Sequence, residues 1–220
     1  MVEIKIDEKI RELLPNLVLG YIKGEVTVKH SDEELISEMK KAEKNITENI
    51  KLEDITKNKN IIAGREAYKI LGKSPSKYRT SSEALMRRIV QGKGLYYANN
   101  IVDINNIVSL TTYCSCGSYD LDKIIFPVYF SIGSKGETYK GIGKDMINIE
   151  NLPVFKDKKG SFGSPTSDSE RAMITEESRN IVMCIMSFGG EEGLIKGIKE
   201  AEILLKKYAD LKNFETGIIK

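Results

Sequence analysis

One histidine, three cysteines and no apolar run long enough to cross a bilayer set the first limits on this 220-residue chain. His30 stands at the end of an expected strand, so a Ser-His-Asp triad has one candidate base, distant in sequence from the polar clusters described below. Cys114 and Cys116 are separated by one residue and have no other cysteine or histidine nearby, a spacing that does not suit zinc. Three cysteines cannot all pair, which points to a reduced, cytoplasmic protein. A tight, partly buried turn is the expected setting for Cys114 and Cys116. The opening MVEIKIDEKI lacks the features of a signal peptide, and no membrane association is expected. There is no P-loop and no GxGxxG after a strand; the fragments at Gly92 and Gly189 are too short to count. No cofactor is expected. The remaining chemistry is that of Asp, Glu, Asn, Ser, Thr, Tyr and backbone amides, which bind ligands and position water.

Apolar residues make up 40% and charged residues 30%, with both signs mixed, as in a folded globular domain. The pattern predicts one α+β domain, a mixed or antiparallel sheet packed with helices. Residues 1–60 form an N-terminal flank of that domain, read as a lid or support. Residues 61–210 form its core, and 211–220 a tail. Expected strands cover Val2 to Ile6, Leu17 to Lys29, Ile124 to Ile132, Glu137 to Ile142, Met146 to Ile149, Pro153 to Lys156 and Ile181 to Met186. The last of these is apolar throughout, as a strand covered on both faces should be. Pro127 suggests an edge or bulge. Helices are expected over Asp7–Leu14, from the capping-box pairs Ser31/Glu34 and Thr80/Glu83, from Ile61 to Gly72, over Ile101–Tyr113, and from Glu191 to Ala209. Ser74-Pro75 reads as a further helix start.

Two stretches carry candidate chemistry. In the first, Ser81 to Asp122, a basic helix leads into a segment where apolar residues alternate with Asn, Asp and Ser. On a helix, Asn99, Asp103 and Asn106 share one face, and Val102, Asn105 and Ser109 the adjoining one. Ordinary capping and hydrogen bonding to a facing sheet is the alternative. The region from Ile61 to Asn100 holds eight basic residues against two acidic ones, an electrostatic footprint for a polyanion or else a solvated helix face. In the second stretch, Gly163 to Ile174, a Gly/Ser/Pro loop delivers Asp168, Ser169, Glu170 and Arg171. Asp168 suits a substrate ammonium group, and the alternative is a surface turn with Asx-type bonds.

The strings NxxVDxxNxxSL (Asn99 to Leu110) and GxYDxDKI (Gly117 to Ile124) are the specific part of a wider similarity. From about Ala67 to Tyr208 the chain resembles the B3/B4 tRNA-binding domain, the editing domain within the β subunit of phenylalanyl-tRNA synthetases. The resemblance implies a compact α+β domain that hydrolyses the ester of tyrosine wrongly attached to phenylalanine tRNA. No class II synthetase motif accompanies it, so a freestanding, trans-acting editing hydrolase is expected, with mischarged tRNA as partner. Such a site needs no strong nucleophile, because an aminoacyl ester is already activated and water need only be oriented. Asn106, Asp168 and Ser169 are the expected catalytic residues. Asn99, Asn100, Asp103, Ser109, Ser164 and Thr166 are expected to line the amino-acid pocket, with Gly117 and Gly143 letting backbone amides approach the ester. Arg87, Arg88 and Lys93 are expected to meet acceptor-end phosphates. The alternatives are a binding protein of the same fold for RNA or an amino-acid-like ligand, and a protein-interaction module.

Overall fold

The computed structural model describes residues 3–220; Val2, at the start of the first expected strand, lies outside the described residues. In chain order the elements are β1 (Ile4–Ile6), α1 (Glu8–Leu13), β2 (Val18–Glu25), α2 (Glu33–Asn49), α3 (Lys59–Ile70), α4 (Ser81–Val90), α5 (Asn100–Thr112), β3 (Ser115–Asp120), β4 (Val128–Ile132), β5 (Thr138–Lys140), β6 (Met146–Asn148), β7 (Pro153–Asp157), β8 (Gly160–Gly163), β9 (Asn180–Ser187), α6 (Leu194–Ala209) and β10 (Lys212–Ile219). They form two four-stranded sheets, ordered β1-β4-β7-β8 and β10-β2-β9-β3, and a β5–β6 hairpin. This is the expected α+β architecture.

Strand β9 shows how the layers are assembled. Ile181, Met183 and Ile185 point into a core shared with α2, α4, α5 and α6. Val182, Cys184 and Met186 point the other way, into the core between the two sheets. Alternate side chains of a strand face opposite sides, so an unbroken apolar run is what two buried faces require. Gly20 of β2 lies beneath α6, where a Cβ would come within 2.9 Å of Ile198, so the close crossing of helix over sheet depends on that glycine.

Several local expectations are corrected. Of the two readings of the N-terminal flank, a lid does not fit β2, which sits inside the sheet between β10 and β9. The tail is β10, antiparallel to β2. Neither capping box forms. Asp32 caps α2, accepting from the Leu35 amide, while the Ser31 hydroxyl donates to Asp103. Thr80 makes no cap hydrogen bond, and Glu83 turns inward to arginines. Pro75 lies in a turn, not a helix. Pro127 precedes β4, an interior strand between β1 and β7, and so marks neither edge nor bulge. Cys114 is buried in the bend between α5 and β3, as expected, but Cys116 lies within that strand.

Candidate functional site

Where the α5 face meets the loop after β8, the edge strand β3 forms the floor of a cavity of about 320 Å³. Leu85, Val102, Ile142, Met173 and Ile174 supply apolar walls, and Asn99, Asn105, Asn106, Ser109, Ser118, Ser164 and Asp168 the polar ones. Mostly apolar walls with a few convergent polar groups are the usual make-up of a small-molecule site. A larger depression, about 620 Å³ between the start of α3, the end of α5 and the start of α6, contrasts with it. Several of its polar groups pair with one another: Lys59 with Glu192, Thr111 with Glu200, and Asn60 with the Thr112 carbonyl.

The polar wall is assembled by long-range hydrogen bonds. Asn99 caps α5 by accepting from the Val102 amide. Asn105 accepts from the Ser118 hydroxyl at 2.9 Å and the Cys116 thiol at 3.4 Å, locking α5 to β3. Ser109 accepts from the Cys116 amide. Asn106 is half-buried, lines the cavity and makes no hydrogen bond with the described residues. Both ends of its side-chain amide are free, whereas Asn99 and Asn105 have their oxygens engaged.

Opposite, the Ser164 hydroxyl accepts from the Thr166 and Ser167 amides and donates to the Ser167 carbonyl, folding the loop into a tight turn. Asp168 Oδ1 accepts from the Ser164 amide at 3.0 Å and from the Tyr119 hydroxyl at 2.9 Å. Tyr119 reaches it because Gly117 and Gly163 have no side chains: a Cβ on either would lie 2.7 or 2.3 Å from the phenolic oxygen. No cation lies within salt-bridge distance of Asp168 among the described residues. Burial pushes its carboxyl pKa up to about 6, partly opposed by those two hydrogen bonds and by the positive charge of Lys144. Burial also raises the Tyr119 phenol and the Cys116 thiol well above their ordinary values, so neither is an anion at neutral pH. No cluster of three metal-ligating side chains is present among the described residues.

The structure brings Asn99, Asn106, Ser109, Ser164 and Asp168 to one cavity and sends the other expected pocket residues elsewhere. Asn100 is fully buried; it donates to the Thr27 and Tyr208 carbonyls and accepts from the Lys29 amide, a clamp rather than a wall. Asp103 is buried, accepting from Ser31 and from the Ala98 amide. Thr166 shares a hydrogen bond with the Tyr68 hydroxyl. Ser169 is buried and accepts from the Arg171 amide. Gly117 pairs with Cys184 in the β3–β9 ladder and serves Tyr119 by its lack of a side chain. Gly143 lies in the exposed β5–β6 turn with positive φ, between Ile142 and Lys144 at the rim. Arg87 is committed to Glu83 at 2.8 Å, while Arg88 stacks on Tyr96. His30 is exposed beside Glu176. Sequence reasoning missed Cys116, Ser118 and Ile142 as lining groups. Alternation along β3 was the available signal, since Cys116 and Ser118 share one face.

Fold and site together define an α+β domain with a small cavity of apolar and polar walls at a sheet edge, floored by β3 and walled by α5. The B3/4 domain family model matches residues 63–199, and the chain belongs to that family. No curated protein matches it. Among solved structures, an N-terminal fragment of the phenylalanyl-tRNA synthetase β subunit from Pyrococcus horikoshii is similar over 98% of this chain and 50% of that one. The identity is 14% and the TM-score 0.48, and this chain spans about half that fragment's length. No helix among the described residues is long and apolar enough to cross a membrane.

Proposed function

We propose that this protein binds the acceptor end of a mischarged aminoacyl-tRNA and hydrolyses the aminoacyl ester in trans. The observation that carries the reading is the pairing, across one cavity, of an ion-unpaired Asp168 carboxyl with the free amide of Asn106. A carboxyl whose pKa is pushed up to about 6 is mostly ionised at neutral pH yet more basic than an ordinary carboxylate, which suits a general base. In this reading Asp168 accepts a proton from water as the water oxygen attacks the ester carbonyl. The Asn106 amide donates to the developing oxyanion. The bond to the ribose oxygen then breaks, and that oxygen takes the proton back from Asp168. The apolar walls hold the amino-acid side chain, with the amide nitrogens of Asn99 and Asn105 and the Ser109 hydroxyl available for its polar groups. Ser169, buried behind the turn, has no part in the reaction.

One observation favours a second reading, binding without hydrolysis. A carboxyl with an open edge and no cation of its own is also a ready seat for a ligand ammonium. Incubation with a panel of radiolabelled mischarged tRNAs separates the two. Release of free amino acid, lost in Asp168→Asn, supports hydrolysis; gel retardation of charged tRNA without release supports the binder. An absence of both across the panel overturns the proposal.

A further inference from the structure

The loop from Gln91 to Asn99 is pinned at both ends yet exposes two adjacent tyrosines, Tyr96 at 68% and Tyr97 at 49%. On one side, Leu95 is buried in the core and its amide donates to Glu43 at 3.0 Å. Arg88 donates to the Lys93 carbonyl at 3.2 Å. On the other, the Ala98 amide donates to Asp103 at 3.1 Å, and Asp103 is itself held by Ser31. Nothing in the packing requires large aromatic rings between two such anchors, and burying them would be worth more than leaving them in water.

Their position gives them a use. Ala98 and Asn99, the next residues, line the cavity. Ser81 and Leu85 of α4 line it too, and Arg88 lies one turn beyond Leu85 on the same helical stripe. The Arg88 guanidinium sits 3.8 Å from the Tyr96 ring centroid, fixing that ring and bringing a positive charge beside it. Lys93 is on the same loop, and Lys144, bonded to Ser167 at 3.2 Å, stands at the opposite rim. Exposed aromatic rings beside cations, opening on a small pocket, are what unpaired bases and their phosphates require.

We propose that Tyr96 and Tyr97, with Arg88 and Lys93, form a stacking platform for the unpaired 3′-terminal nucleotides of an RNA, delivering the terminal ribose to the cavity. This rests on the proposed function and names the part of the RNA that is gripped. It shifts the specific contact from phosphate neutralisation, the role expected of Arg87, Arg88 and Lys93, to base stacking.

The test is fluorescence anisotropy with a labelled RNA minihelix ending in single-stranded ACCA, compared with the same helix ending blunt. The wild-type protein should prefer the tailed RNA. Tyr96→Ala with Tyr97→Ala should weaken tailed binding about 10- to 100-fold, and the corresponding Phe variants should keep it, because stacking needs the ring and not the hydroxyl. Both residues are exposed, so circular dichroism should show the variants folded. Equal affinity for tailed and blunt RNA, or alanine variants that bind and deacylate like wild type, overturns the platform and leaves the hydrolase intact. A wild-type protein that binds no RNA and cleaves no charged tRNA removes both.

Discussion

Two of the acidic side chains drawn toward the interior, Glu83 and Asp168, are treated oppositely. Glu83, wholly buried on α4, is met by Arg87 at 2.8 Å and Arg65 at 2.9 Å, with Arg79 at 3.8 Å. Asp168 receives one phenol, one amide and no ion pair, and keeps an edge toward a cavity. The first carboxylate is charge-balanced and closed, tying α3 to α4. Burial pushes the pKa of the second up to about 6, with no ion pair to offset it. A buried acid surrounded by guanidiniums serves architecture, whereas one denied them is available for chemistry.

Breaking the architectural acid should have the largest effect on the fold. Glu83→Gln leaves Arg65 and Arg87 without their carboxylate and should cost about 3–5 kcal/mol in urea unfolding. Asp168→Asn should do the reverse. An amide oxygen can still accept from Tyr119 and Ser164, while the desolvated charge disappears, so stability at pH 7 should rise by about 1–2 kcal/mol. Deacylation should meanwhile fall at least about 100-fold. The pH dependence carries a definite sign. Because the folded pKa is raised from 3.8 to about 6, the native state binds more protons in that window. Wild-type stability from this group is therefore full below about pH 4 and is lost as pH rises through about 6. The Asn variant should lack that slope in pH-dependent melts.

Smaller changes sharpen the contrast within the cavity. Asn106→Ala removes a side chain with no protein partner, so stability should move by less than about 0.5 kcal/mol. Single-turnover deacylation should slow about 10- to 100-fold if the amide meets the oxyanion. Tyr119→Phe removes a donor that favours the ionised Asp168. It should cost about 1 kcal/mol and move the acidic limb of the rate profile to higher pH. An unchanged limb would show that Asp168 does not set the rate.

Much of the fold was legible where a single element decides its own pattern. The stripes of α2, α5 and α6 and the continuous apolar run of β9 follow from what each face touches. Strands β8 and β10 were not legible. β8 is four residues with a glycine at each end, and β10 is a half-exposed edge strand whose alternation is weak. The capping-box readings at Ser31 and Thr80 failed because tertiary partners claimed the side chains, Asp103 in one case and the arginines in the other. The same competition decided the site. Asn99, Asn106 and Ser109 could be read from helical spacing, and Asp168 from its Gly/Ser/Pro loop. That Asn100 would be taken by carbonyls of residues 27 and 208 depends on pairings far apart in the chain.

The order β10-β2-β9-β3 has a consequence for how the molecule is made. Strand β2 ends at Glu25, yet its two neighbours begin at Asn180 and Lys212. As the chain leaves the ribosome, β2 must wait for more than half of the sequence before either edge can be closed. The sheet that floors the cavity is thus completed late, and contacts so distant in sequence slow the search for the native state. During that interval the unpaired edges of β2 are the part of the nascent chain most in need of protection from aggregation.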